Sequence, residues 1–107
     1  MRPDDLNRRL WSAALAFAFA ATPAAAETIE VTIDKLVFSP ATVEAKVGDT
    51  IAWVNKDKFA HTATVKGGWE VMIPPNKSAS LTLKVAGTID YFCRFHPNMK
   101  GRLVVAP

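Results

Sequence analysis

One cysteine stands in 107 residues, so the chain has no internal disulfide, and haem attachment through Cys-x-x-Cys-His is excluded with it. Two histidines rule out a site built on a histidine-rich cluster. There is no glycine-rich phosphate loop, no G-x-S-x-G and no Cys-x-x-Cys, which removes most enzyme classes. Charge of one sign is scarce as well. Thirteen Lys and Arg against ten Asp and Glu leave +3, too little for a nucleic-acid coat. The length suits one domain and not two.

The first residues read as an export signal. Arg2, Arg8 and Arg9 form a basic start, Leu10 to Ala21 is apolar but for Ser12, and Ala24-Ala25-Ala26 ends the stretch. This is the layout of a secretory signal, with cleavage expected after Ala26. The apolar run is shorter than the roughly 20 residues a bilayer span requires. An uncleaved anchor is the alternative, and Arg8-Arg9 also fits a twin-arginine signal. The domains are therefore a signal peptide over 1–26 and a folded domain over 27–107, placed in the periplasm. In that oxidising compartment a lone cysteine is a dimer link, an inert buried thiol or a metal ligand.

From Glu27 onward the chain reads as strands. It is rich in Val, Ile and Thr, and Thr28 to Ile33 alternates polar and apolar without a break. Thr42 to Lys46 and His61 to Lys66 alternate too. Thr50 to Val54 is apolar enough for a strand covered on both faces. Ser80 to Val85 places Leu81, Leu83 and Val85 on one face, and Gly87 opens a strand running to Cys93. Val47-Gly48-Asp49, Gly67-Gly68 and Pro74-Pro75-Asn76 supply turns. No window has a helical period. Seven or eight short strands at regular spacing predict an all-β fold, a sandwich or a barrel.

Chemistry concentrates in Cys93-Arg94-Phe95-His96-Pro97-Asn98-Met99. Taken singly, a buried Cys, a Met or a His is usually ordinary core or a satisfied polar group. Here a thiol, an imidazole and a thioether follow one another at intervals of three. Cys93 ends a strand, and a tight turn before Arg102 curls His96 and Met99 around one point. Such a set suits a soft metal, and His61, the other histidine, completes two imidazoles, a thiolate and a weak axial thioether. Zinc is less suited, because its usual ligands do not include thioether.

These residues resemble a cupredoxin, a type 1 blue copper protein, and most of all the amicyanin branch. Cys93 to Met99 is similar to that branch's short C-x-x-H-P-x-M loop. Val47-Gly48-Asp49-Thr50, Trp53-Val54-Asn55 and Asp90-Tyr91 also resemble the family. The resemblance covers essentially all of 27–107 and implies a Greek-key β-sandwich holding one copper ion. It implies His61, Cys93 and His96 as strong ligands and Met99 as the axial one. Two positions depart from the pattern. Thr62 stands where the family often has an Asn that braces the ligand loop; a hydroxyl can also make a hydrogen bond, but with a shorter reach. The stretch from His61 to Leu81 is also shorter than in amicyanin.

Four protein ligands leave little room for substrate, so the resemblance implies a carrier of single electrons rather than an enzyme. The alternative is periplasmic copper storage or delivery, whose usual sign is a Met-rich or His-rich tract. The implied partners are redox proteins, a dehydrogenase and a c-type cytochrome being the candidates, met by a monomer that binds neither nucleic acid nor, after cleavage, membrane. Phe95, Pro97 and Pro74-Pro75 are expected to form an apolar contact patch, ringed with positive charge by Lys56, Lys58, Arg94 and Lys100.

Overall fold

A computed structural model describes residues 25–107. The expected signal peptide therefore lies outside the described residues, apart from Ala25 and Ala26. The described chain forms nine strands: β1 (Thr28–Asp34), β2 (Val37–Ser39), β3 (Thr42–Lys46), β4 (Thr50–Asn55), β5 (His61–Thr64), β6 (Glu70–Ile73), β7 (Ser78–Thr82), β8 (Gly87–Phe92) and β9 (Lys100–Ala106). They build two mixed sheets, ordered β2-β1-β4-β7 and β3-β9-β8-β5-β6. Nine strands exceed the expected seven or eight, the shortest being the three residues of β2.

Alternation in sequence becomes alternation of faces. In β9, Gly101, Leu103 and Val105 are buried while the residues between them are exposed. In β1, Val31 and Ile33 point inward. Each fully buried aliphatic side chain stabilises the fold by roughly 1.5–3 kcal/mol. Trp53 and Tyr91 fill the centre, one from each sheet. The Trp53 Nε1–H donates to the Tyr91 hydroxyl at 3.2 Å, which satisfies both buried polar groups. Burial pushes the Tyr91 hydroxyl pKa up, and the Trp53 hydrogen bond only partly opposes this. Tyr91 faces Gly101 in the β8–β9 ladder, and a Cβ at Gly101 would overlap its ring.

Two expectations change. β4 is not equally covered on both faces: Ile51, Trp53 and Asn55 are buried, while Thr50, Ala52 and Val54 are half-buried. The segment expected over Ser80 to Val85 is shifted, because β7 pairs Ser78–Thr82 with β4. Leu83 still reaches the core and donates its N–H to the Asp49 carbonyl at 2.7 Å, but Val85 is exposed.

Asp49 closes the end of the sandwich away from chemistry. Its carboxylate accepts the Glu27 N–H at 2.9 Å, the Lys46 N–H at 3.0 Å and the Lys46 ammonium at 3.1 Å. The Glu27 bond first, then the Lys46 N–H, hold this carboxyl below the ordinary carboxylate range despite its burial.

Candidate metal centre

The loop after β8 explains its own spacing. The His96 N–H donates to the Cys93 carbonyl at 3.2 Å, and the Met99 N–H donates to the His96 carbonyl at 2.9 Å. Each interval of three is thus one hydrogen-bonded turn. The second turn carries Pro97 and Asn98 at its centre, and proline there is pre-set for a turn. The Cys93 N–H donates to the Met99 carbonyl at 3.0 Å and closes the loop onto itself. Cys93 and Met99 are buried in the same apolar cluster, and His96 is half-buried.

The strand β5 brings His61 to the same place. The potential ligand atoms of His61, Cys93 and His96 all lie within 4.8 Å of one another. The His61 Nδ1 is 3.7 Å from the Cys93 sulfur and the His96 Nδ1 is 3.8 Å from it. The two imidazole rings have centroids 5.3 Å apart. His61 and Cys93 are fully buried.

The chemistry of His61 follows from Asp57, which sequence reading missed. The Asp57 carboxylate accepts the Lys35 N–H at 2.7 Å and the Leu36 N–H at 3.0 Å. It also lies 2.9 Å from His61 Nε2. Burial would push this carboxyl up, but the Leu36 and Lys35 N–H groups, with His61, outweigh it and hold the carboxyl low. An ionised carboxylate only accepts, so Nε2 carries the hydrogen and donates it. The Nδ1 lone pair is then free and directed at the thiol, the tautomer a metal ligand needs.

Asn55 fixes the loop between β4 and β5. Its Nδ2 donates to the Phe59 carbonyl at 2.8 Å and the Pro74 carbonyl at 3.1 Å, and its Oδ1 accepts the Asp57 N–H at 2.9 Å. Asn55 stood among the family-like residues, but its part in holding the loop had no sign in the sequence.

Thr62 does more than its short side chain suggested. Its N–H donates to the Cys93 sulfur at 3.4 Å. Its hydroxyl accepts the Arg94 N–H at 2.8 Å. Thr64 and Phe92 are paired across β5 and β8, and two steps further the same antiparallel register sets Thr62 against Arg94. The strands already approach there, so a hydroxyl is long enough.

Next to the half-buried His96, Phe95 is exposed by 45%; Phe59, two residues before His61, is exposed by 62%. Pro97 and Pro75 are exposed and Pro74 is half-buried. Phe59 is an exposed aromatic that the expected patch did not include. Lys56, Lys58 and Lys100 are exposed, as expected. Arg94 is corrected: its Nε–H donates to Glu70 Oε1 at 2.9 Å and a second guanidinium nitrogen to Oε2 at 3.2 Å, so its charge is compensated. Its guanidinium also lies 4.8 Å over the Phe95 ring.

Comparison with known proteins agrees with this arrangement. The cupredoxin-like domain family matches residues 8–105. An amicyanin of Paracoccus denitrificans is 36% identical over 97 residues, covering 81% of this chain and 72% of that protein. The methylamine utilization protein MauL of Methylorubrum extorquens is 34% identical over 105 residues, 92% of each chain. Among solved structures, amicyanin from Paracoccus versutus superimposes with a TM-score of 0.65 at 33% identity, covering 80% of this chain and 86% of that one. A Cu(I) form of an amicyanin mutant gives 0.67 at 33% identity, covering 80% and 87%.

Proposed function

The chain belongs to the cupredoxin family, and on that premise we propose that it is an exported electron carrier, not an enzyme, with His61, Cys93 and His96 as strong copper ligands and Met99 as the axial one. One type 1 copper ion is the cofactor. When bound, copper supplies single-electron exchange between its Cu(I) and Cu(II) states.

The observation that carries the ligand reading is the spacing of donor atoms around the thiol, 3.7 and 3.8 Å. A trigonal metal at ordinary nitrogen and sulfur bond lengths holds its donors roughly 3.5–4 Å apart. The donor set of two imidazoles, a thiol and a loop methionine matches the blue-copper pattern.

The residues divide the work. Asp57 fixes the His61 tautomer, the two loop turns fix His96 and Met99 relative to Cys93, and the Thr62 N–H draws electron density from the sulfur. Burial keeps water from His61 and Cys93. The half-buried His96, flanked in the loop by exposed Phe95 and Pro97, is the place where electrons enter and leave, and these apolar neighbours receive a partner at little desolvation cost. Exposed Lys56, Lys58 and Lys100 favour a partner with an acidic face.

A relative named for methylamine utilization supports redox partners in amine oxidation, for which a dehydrogenase and a c-type cytochrome are the candidates. Export rests on the basic, apolar and alanine-rich order of residues 1–26, with cleavage after Ala26 just ahead of β1 and a monomeric domain over 27–107 in the periplasm.

The test separates electron carriage from copper storage or delivery. The copper-loaded protein is cycled with a chemical reductant and a c-type cytochrome in the presence of a Cu(I) chelator. Stoichiometric cytochrome reduction with copper retained supports the carrier. Loss of copper to the chelator at each reduction supports delivery instead.

A further inference from the structure

Four residues near the candidate centre form a closed hydrogen-bonded ring. The Arg94 N–H donates to Thr62 Oγ1 at 2.8 Å, and the Thr62 and Thr64 hydroxyls are 2.8 Å apart. Thr64 Oγ1 donates to Glu70 Oε1 at 2.8 Å, and the Arg94 guanidinium returns to both Glu70 oxygens. The Arg94 hydrogen bond first, then that from Thr64, hold the Glu70 carboxyl below the ordinary range, so it is ionised and only accepts.

That fixes every proton. Thr64 has one hydroxyl hydrogen and gives it to Glu70. The hydrogen between the two threonines therefore belongs to Thr62, which leaves the Thr62 oxygen free to accept from Arg94. The chain runs one way, from the Arg94 N–H through Thr62 and Thr64 to Glu70. Bonds aligned in this way polarise and strengthen one another.

The ring acts on the residue next to the sulfur. The Arg94 N–H belongs to the peptide that leaves Cys93, and the N–H of the same Thr62 donates to the Cys93 sulfur. Thr62 therefore grips Cys93 on both sides, by its backbone at the thiol and by its hydroxyl at the following peptide.

We propose that Thr64 and Glu70, which lie outside the cluster of potential ligands, are positioning residues that set the Thr62 N–H against the Cys93 sulfur through this ring. Without them the Thr62 hydroxyl loses its acceptor and the grip on the Cys93–Arg94 peptide loosens. A weaker N–H contact leaves more electron density on the sulfur. This favours the oxidised metal and lowers the midpoint potential. A plain surface ion pair between Arg94 and Glu70 would not do this, since exposed pairs contribute little.

The potential rests on the ligand reading above, whereas the ring does not, so each has its own measurement. In the metal-free protein, NMR hydrogen exchange of the Arg94 amide is followed in Thr64→Val, which breaks the chain but leaves the Arg94–Glu70 pair. Exchange should accelerate about tenfold, as for loss of one hydrogen bond. Thr64→Ser should restore it, and the β1 and β4 amides should not change. In the copper-loaded protein the midpoint potential should fall in Thr64→Val and recover in Thr64→Ser. Thr64→Ala is measured alongside; it breaks the same chain with the Arg94–Glu70 pair intact and answers the same question should Thr64→Val not fold. Arg94 exchange at the wild-type rate in the folded variants overturns the proposal. Accelerated exchange with an unchanged potential overturns the link to the sulfur. A wild-type protein that binds no copper while the exchange result holds overturns the ligand reading alone.

Discussion

Asp57 holds His61 by its Nε2–H at 2.9 Å and, with its other contacts, ties that imidazole to the tip of the β1–β2 hairpin. One carboxylate serves three N–H donors. Asp57→Asn keeps the size but replaces an accepting oxygen with an NH₂ group, which then faces a donor. Copper affinity measured against a competing chelator should fall about 10- to 100-fold, the usual consequence of losing a group that orients a ligand. Unchanged affinity would show that His61 keeps its orientation without Asp57.

The hairpin tip itself is strained. Lys35 and Leu36, between β1 and β2, have φ of 54° and 65°, the left-handed region that a tight two-residue hairpin turn requires at both centres. Neither residue is suited to it. Asp57 compensates by accepting both N–H groups. Replacing Lys35-Leu36 with Asn-Gly relieves the strain and leaves those N–H groups in place. The metal-free protein should gain about 1 kcal/mol or more, read as a higher urea midpoint at constant slope. A lower midpoint would mean that the Leu36 side chain matters more than the backbone.

Acid should weaken the far end of the sandwich through Asp49. Its folded-state carboxyl lies below the ordinary value, so it stabilises the fold at any pH above that ordinary value. The contribution is lost as pH falls through the lowered folded value, where the native carboxylate takes up its proton. Asp49→Asn should therefore destabilise the protein at neutral pH and flatten the acid limb of a stability-against-pH curve. An acid limb identical to wild type would remove Asp49 as its cause.

What the sequence disclosed divides between local and distant contacts. The interval from Cys93 to His96 to Met99 was legible because each step is one turn, complete within the loop. His61 could be joined to it because no other histidine was left. β1 and β3 were legible from alternation. The start of β7 was not, since Ser78 and Ala79 carry little pattern and Leu83 is buried without being in the strand. Asp57, Thr64 and Glu70 gave no sign. Each acts through a partner set by sheet pairing or loop approach, as Glu70 reaches Arg94 only because β6 lies beside β5. That the Thr62 hydroxyl reaches far enough to brace the loop was not legible for the same reason: it depends on how closely β5 and β8 approach.

Whether the Cys93 sulfur is the strong ligand of a type 1 copper site is tested most directly by the visible spectrum on adding Cu(II) to the metal-free protein. Wild type should develop an intense blue thiolate-to-copper band at one equivalent. Cys93→Ser should not, because a hydroxyl is a poor ligand for a soft metal and the sequence holds no second thiol. A wild-type protein that stays colourless, or a Cys93→Ser protein that turns equally blue, would contradict the assignment.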